Sequence, residues 1–278
     1  MERSVVAFLR FVIGDWWPDV LEAPRHGMIT LPKKFIEKHA TTRTHVDLSK
    51  RIFYGIKVQK IEELPSHRIK VYGKNVTSGL ETSFEGDAVI VTVPLTILRQ
   101  MDISVGGFDS YYQKAICNVH YLPVTKIALQ CRTRFWEKDV GDGGGVTKTT
   151  LPIGELYYLR QDNINTDRGL LLCYSWGQDG QIMASQTEEE AIDSAVRQIS
   201  RIHPEITTEF EREKVEAWFN DSSEQGGFVQ LLPYQYGDAM NLLMKPIHPL
   251  YLAGEAISYS HSWIQGALES GLTAAYNL

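Results

Sequence analysis

The run Asp87-Ala-Val-Ile-Val-Thr-Val93 is apolar without strict alternation, as expected for a strand buried on both faces, and Pro94 closes it. Further runs predict strands over 53–61, 68–72, 125–131 and 169–176. The period changes in the stretch 188–202, where Ile192, Val196, Ile199 and Ile202 fall on one stripe of a helix. Thr187 and Glu190 supply a capping box ahead of it, and Pro204 lies just beyond. The start of the chain reads as helical to about Gly14, and 26–32 reads as a turn leading into a helix over 33–39. The chain closes with a short strand, a Gly254-Glu255 turn, a serine-rich loop and a helix on which Gly266, Ser270 and Ala274 recur every fourth residue, with Ala267 and Gly271 beside them. Strands and helices alternate without repeats or linkers, so the fold class is α/β, or a mixed α+β arrangement.

Composition narrows the possibilities. At 278 residues the chain is long enough for a sizeable core, arranged as one large domain or two modest ones. The formal net charge of -6 and the absence of a basic cluster argue against nucleic acid or an anionic membrane as partner. No apolar run is long enough to span a bilayer, and the stretch from Val5 to Ile13 is broken by Arg10. Glu2 and Trp16-Trp17 fit a signal peptide poorly, whereas Asn75-Val76-Thr77 and Asn220-Asp221-Ser222 match the glycosylation pattern, which leaves the compartment open. Cys117, Cys131 and Cys173 have neither disulfide-scaffold nor zinc-site spacing and are expected as buried thiols. The glycine cluster 141–145 leads into Thr147–Thr150 rather than into a helix, which disqualifies it as a phosphate loop.

Candidate chemistry concentrates in the last 30 residues or so. Gly254 follows a strand and permits close approach of a ligand to the backbone, and Glu255 is placed to accept hydrogen bonds from sugar-like hydroxyls. The following helix begins near Ser262-Trp263-Ile264 with unpaired N–H groups and a positive dipole end, which suits a flat, electron-accepting cofactor. Spacing alone is equally the pattern of an ordinary small-residue helix packed on a sheet.

Residue by residue, the chain resembles the flavin-containing amine oxidases. Ala253-Gly254-Glu255, His261-Ser262-Trp263-Ile264-Gln265-Gly266-Ala267 and Ser270-Gly271-Leu272 are similar to the terminal flavin motif of that family. Gly27-Met28 with Leu31-Pro32, Val58 with Ile61, and the strand 87–94 resemble further family segments in the same order. Within the family the similarity is greatest to L-amino acid oxidases. It is carried by Val119-His120-Tyr121, Thr125-Lys126-Ile127, Phe135-Trp136-Glu137, Tyr157-Tyr158, Ala217-Trp218, Gly226-Gly227 and Pro233-Tyr234-Gln235.

The resemblance implies FAD as cofactor and oxidative deamination of L-amino acids to 2-oxo acids and ammonia, with oxygen reduced to hydrogen peroxide. It implies that Lys126 holds a catalytic water, that Tyr174 binds the substrate carboxylate, and that the Trp263 ring walls the substrate beside Ser262. It further assigns Val58, Trp218, Gly254, Glu255, Trp263 and Ile264 to the cofactor. Taken alone, Lys126 reads equally as a surface lysine and Trp218 as core packing. Residues 1–100 and 216–278 then belong to a partial FAD-binding region and 101–215 mainly to a substrate-binding domain. Ser262 departs from the glycine common at its position. The sequence also contains no G-x-G-x-x-G to hold a pyrophosphate, so the chain is expected to be the C-terminal two-thirds or so of an oxidase. That departure opens alternatives to a self-sufficient enzyme acting on an amino acid and oxygen: a non-catalytic remnant, or a subunit needing an N-terminal companion segment or a homo-oligomer. A monoamine or polyamine oxidase is the remaining alternative. For the full-length family member, secretion stands beside a cytoplasmic location.

Overall fold

The computed structural model describes residues 27–37, 48–141, 144–160 and 166–278, together with Val5 and Pro24. The helical start expected up to Gly14 otherwise lies outside the described residues, as do Asp142 and Gly143 of the glycine cluster. Helix α1 (Thr30–Ile36) begins ahead of Pro32 instead of after it. Pro32 sits in the first turn, where backbone N–H groups have no partner in the helix to lose.

Strands β1 (Ile56–Glu63), β2 (Ile69–Asn75) and β3 (Glu81–Gly86) form an antiparallel meander, and β5 (Asp102–Ser104) adds in parallel to β1. The first strand starts three residues later than expected because Gly55, at φ 72°, turns the chain there. β4 (Val89–Val91) is the core of the 87–93 run; among the described residues it pairs only with β13 (Leu250–Leu252), in parallel. Both its faces are covered as its apolarity requires: Val89 and Val91 pack on one core, and Ala88 and Ile90 on Tyr251, Ala253 and Ala274.

Helices α2 (Leu95–Leu98) and α3 (Ser110–Asn118) follow, the latter capped by the Asp109 carboxylate, which accepts from the Tyr111 and Tyr112 amides. They join Ile61, Ile69 and Leu250 in a first core. One correction falls here: Cys117 is exposed on the outer side of α3, whose buried residues are Tyr112, Ala115 and Ile116. Cys131 and Cys173 are buried thiols, and burial is the largest cause pushing each up to about 12.

The short β6 (Tyr121–Leu122) precedes a five-stranded antiparallel sheet ordered β11-β7-β10-β9-β8. Its strands are β7 (Val124–Cys131), β8 (Gly145–Lys148), β9 (Glu155–Leu159), β10 (Gly169–Trp176) and β11 (Phe210–Ala217). The glycine cluster leads directly into β8, an edge strand, so it opens no helix.

Strict alternation along β7, β9 and β10 buries one face of this sheet, including Ile127, Leu129, Leu156, Leu171 and Cys173. Helices α4 (Glu137–Val140), α5 (Gln178–Ala184), α6 (Glu188–Ile199) and α7 (Ile206–Glu209) follow the chain around it, and α6 lays Ala191, Ile192, Ala195 and Ile199 on that second core. The other face, with Lys126, Tyr174 and Trp176, stays half-exposed. β12 (Phe228–Val229) pairs with β6, and the chain ends in α8 (Ile264–Tyr276). Among the described residues no helix is long and apolar enough to cross a membrane.

α6 shows the capping box read from the sequence: the Thr187 hydroxyl accepts from the Glu190 amide at 3.2 Å and the Glu190 carboxylate accepts from the Thr187 amide at 3.0 Å. Thr187→Ala leaves the Glu190 amide without its partner and is expected to lower unfolding stability by about 1 kcal/mol in urea titration, with an unchanged m-value.

Candidate functional site

Two groups of sequence-singled residues come together, and one residue stands apart. The first group lies on α8 and the loop ahead of it. Gly254 adopts φ 134°, ψ 175°, a conformation essentially confined to glycine. Its N–H donates to the Ser270 hydroxyl at 2.9 Å, and that hydroxyl lies 2.8 Å from the Gly254 carbonyl, which staples the turn to the helix. The buried residues of α8 are Gly266, Ser270 and Ala274, the fourfold-spaced set. A Cβ on Gly266 would sit 2.3 Å from the Ser260 carbonyl oxygen, so the helix packs backbone to backbone there. Gly271, on a different side, meets nothing within 4 Å.

Glu255 is the centre of this group. One carboxylate oxygen accepts from the Val229 amide at 3.0 Å and the other from the Ser262 amide at 2.8 Å. Burial raises its pKa above the usual carboxylate range, and the two amide bonds pull it partly back. Ser262 has φ 70°, a backbone conformation that glycine adopts more readily than serine; its hydroxyl donates to the Val229 carbonyl at 3.3 Å. Trp263 is the extended N-cap residue of α8, no side chain caps the helix, and Ile264 at its start is exposed.

A cavity of about 110 Å³ opens beside Gly254 and Glu255, walled by the 91–95 stretch after β4, by Tyr121 and by Glu224, Gly226 and Gly227. Tyr121 accepts a hydrogen bond from the Leu95 amide at 3.0 Å, and burial pushes its phenol above the ordinary range. Sequence reasoning did not name these wall residues as site residues. The signal was present in the Gly226-Gly227 pair, where a Cβ on Gly227 would meet Val124 at 2.1 Å.

The second group lies on the half-exposed sheet face. Lys126 on β7 stands opposite Tyr174 on β10, and its ammonium lies 4.6 Å from the centre of the Tyr174 ring and 5.4 Å from that of Trp218. This is neither a surface lysine nor a core tryptophan but a cation held between two aromatic faces. Burial lowers the Lys126 pKa below that of an ordinary lysine and raises that of Tyr174.

The two groups are joined through the backbone: the Trp218 amide donates to Val124, the Gly226 amide to the Trp218 carbonyl, and β12 then reaches Val229, which Glu255 holds. Val58 is the residue that stands apart. It lies on β1 in the other sheet and packs against the first core, which also contains Ala256 and Ile257.

Comparison with known proteins follows the same lines. A family model described as "Flavin containing amine oxidoreductase" matches residues 4–278. The chain is 31% identical over 281 residues to the Bacillus subtilis (strain 168) protein named "Putative L-amino-acid oxidase YobN", a match covering 100% of this chain and 56% of that protein. It is 28% identical over 232 residues to an L-amino-acid oxidase of Echis ocellatus, covering 82% of this chain and 45% of the relative. The chain thus spans about half the length of the curated relatives it matches. Among solved structures, cyclohexylamine oxidase from Brevibacterium oxydans IH-35A superposes with a TM-score of 0.64 at 14% identity, over 80% of this chain and 47% of that one, which is a likeness of fold.

Two predictions follow from this geometry. Gly266→Ala drives a methyl group into the Ser260 carbonyl and is expected to cost about 2–3 kcal/mol, whereas Gly271→Ala on the open side is expected to be neutral or to gain up to ~1 kcal/mol from helix propensity. Chemical denaturation of the pair checks both, and equal effects would contradict the packing described.

Lys126 makes stability depend on alkaline pH. Its folded pKa lies below 10.5, so in the window just under that value the unfolded chain binds more protons than the folded one, and stability contributed by this group rises with pH. The stability difference between the native chain and Lys126→Met should therefore shift in favour of the native chain as pH climbs toward 10.5. A flat difference curve would count against burial of the ammonium.

Proposed function

Because the chain belongs to the flavin containing amine oxidoreductase family, we propose that it acts with FAD in the oxidative deamination of L-amino acids to 2-oxo acids, ammonia and hydrogen peroxide. The observation that carries this reading is the joining of the Glu255 group to the Lys126–Tyr174–Trp218 group through β12.

The residues present fit a flavin. Gly254 leaves the turn free of a side chain, and the half-buried Glu255 carboxylate, with no ion pair among the described residues, keeps lone pairs beyond those used by two amides and suits the hydroxyls of a ribityl chain. The uncapped N-terminus of α8 at Trp263 and Ile264 suits the electron-rich edge of the ring system. Trp218 would flank the ring, and Val58 the adenine. When bound, FAD supplies the acceptor for the hydride that leaves the substrate Cα, and oxygen then takes up the electrons.

The remaining roles belong to this chain. The Tyr174 hydroxyl holds the substrate carboxylate by donating a hydrogen bond. Lys126 Nζ, with its depressed pKa, is able to give up a proton and hold a water by accepting from it. The Trp263 ring closes the substrate side, and the Ser262 hydroxymethyl group narrows it relative to glycine.

A second reading is that the chain works only with an N-terminal companion segment or a second copy. A specific observation favours it: Ile264, Leu268, Leu272 and Tyr276 of α8 are 51%, 43%, 61% and 88% exposed, a stripe suited to a covering partner. The sequence also offers no G-x-G-x-x-G amide cradle for a diphosphate.

Peroxide release across the proteinogenic L-amino acids, with D-amino acids and polyamines as controls, tests the reaction. It is measured with FAD on the chain alone and on the chain co-expressed with the N-terminal half of the Bacillus subtilis relative. Peroxide from L-amino acids is expected in at least the second arrangement, and Lys126→Met should reduce kcat on the order of 10²-fold or more. Peroxide from amines only, or from nothing in either arrangement, would overturn the assignment. Flavin absorbance retained by the desalted chain alone would overturn the need for a companion.

A further inference from the structure

The half-exposed sheet face carries groups that the reading above does not use. β10 pairs with β9 so that Tyr174 stands opposite Glu155 and Leu172 opposite Tyr157. Directly paired residues point to the same face, so Glu155, Tyr157, Tyr174 and Trp176 share it with Lys126. Three rings stand in a row: Tyr157 and Tyr174 with centroids 6.3 Å apart, and Tyr174 and Trp176 with centroids 6.5 Å apart.

Glu155 lies beside the middle of this row, directly opposite Tyr174. One of its carboxylate oxygens accepts from the Tyr157 hydroxyl at 2.7 Å, which fixes its direction, and the other lies 3.4 Å from Lys148 Nζ. The Glu155 side chain is 15% exposed while that of Lys148 is 78% exposed, so a fixed, largely buried carboxylate has a solvated, freely rotating arm as its cation. Such an exposed pairing is weak and readily exchanged. A positioned carboxylate beside aromatic faces is the chemistry that recognises an alkylammonium or guanidinium group.

A second line, running across the strands through Tyr174, has a polarity. Lys126, Tyr174 and Glu155 are aligned across β7, β10 and β9, which places the backbones of the lysine and the glutamate about 10 Å apart, two inter-strand spacings. A cation stands at one end and an anion at the other. An amino acid with a basic side chain presents the complementary order: its α-carboxylate toward Tyr174 and Lys126, its side-chain cation toward Glu155.

We propose that Glu155, held by Tyr157, is a specificity-determining residue that selects L-amino acids with cationic side chains, such as lysine, ornithine and arginine. This deepens the amino-acid reading of the site and rests on it. Lys148 occupies the same carboxylate in the free protein and competes with the substrate cation.

Binding to the full chain, read by tryptophan fluorescence or calorimetry, separates the outcomes. L-Lysine is expected to bind at least about tenfold more tightly than L-norleucine, its uncharged counterpart. Glu155→Gln should abolish that preference, Glu155→Asp should keep part of it, and Lys148→Ala should strengthen lysine binding. Circular dichroism of each variant guards against misfolding, and Lys148→Ala, on an exposed arm, tests the site without touching the carboxylate.

No preference for lysine in the native chain, or a preference that survives Glu155→Gln, would overturn the proposal. So would cadaverine binding as tightly as lysine, because the carboxylate end would then be idle. Peroxide release by the chain co-expressed with the relative's N-terminal half is scored separately. A Glu155-dependent preference for lysine without peroxide from any amino acid would sink the oxidase reading and leave the cation site standing. Peroxide from neutral amino acids with no such preference would do the reverse.

Discussion

The site depends on one half-buried carboxylate. Glu255 accepts the amides of Val229 and Ser262, from segments 26 and 7 residues distant in sequence, and so fastens β12 to the loop that starts α8. Through β12 and the Gly226-Gly227 pair the same fastening reaches Trp218, and through Trp218 the sheet that carries Lys126. Charge-assisted bonds to backbone amides are strong enough to offset much of the cost of burying the anion, but they do not neutralise it. The raised pKa is the sign of what is left over, and that remainder is available to a ligand rich in hydroxyl groups.

A second ionised group is treated in the opposite sense. Lys126 is a cation with its charge set against aromatic faces, and burial drives it toward its neutral form just as burial drives Glu255 toward its own. Ordinary cores avoid such groups. Two of them, of opposite sign and joined by one short strand, mark the region where the fold accepts electrostatic cost in return for chemistry. Ser262, held at positive φ beside Glu255, adds backbone strain there.

The two faces of the five-stranded sheet divide structural and chemical duties. Strict alternation sends Ile127, Leu129, Leu171 and Cys173 into a core closed by α6, and sends Lys126, Leu172, Tyr174 and Trp176 to the open side. The closed side accounts for rigidity. The open side inherits that rigidity, which is why a row of rings and a directed carboxylate can be held there without being buried in the core.

Local pattern was a sound guide where an element's own residues settle its form. The capping box at Thr187, the strands 125–131 and 169–176, and the small-residue face of the last helix were legible because propensity, capping and period act over a few residues. The boundary at Gly55 and the early start of α1 at Thr30 differ from the expectation because a single glycine at positive φ and a proline tolerated in a first turn set them, and Cys117 is exposed because α3 turns its other side to the core. The motif residues Gly254, Glu255, Ser262 and Trp263 were identifiable by family resemblance. Their hydrogen-bond partners, Val229 among them, were not, since nothing in a linear string states which distant amide a carboxylate will reach. The sequence by itself thus determined the element types, the family and the residue types available for chemistry, because these depend on local pattern and shared motifs. Only the tertiary structure decided that Glu255 grips Val229, that Lys126 lies between Tyr174 and Trp218, and that Glu155 faces the same side. Those relations are set by strand register and long-range packing, which bring together residues far apart in the chain.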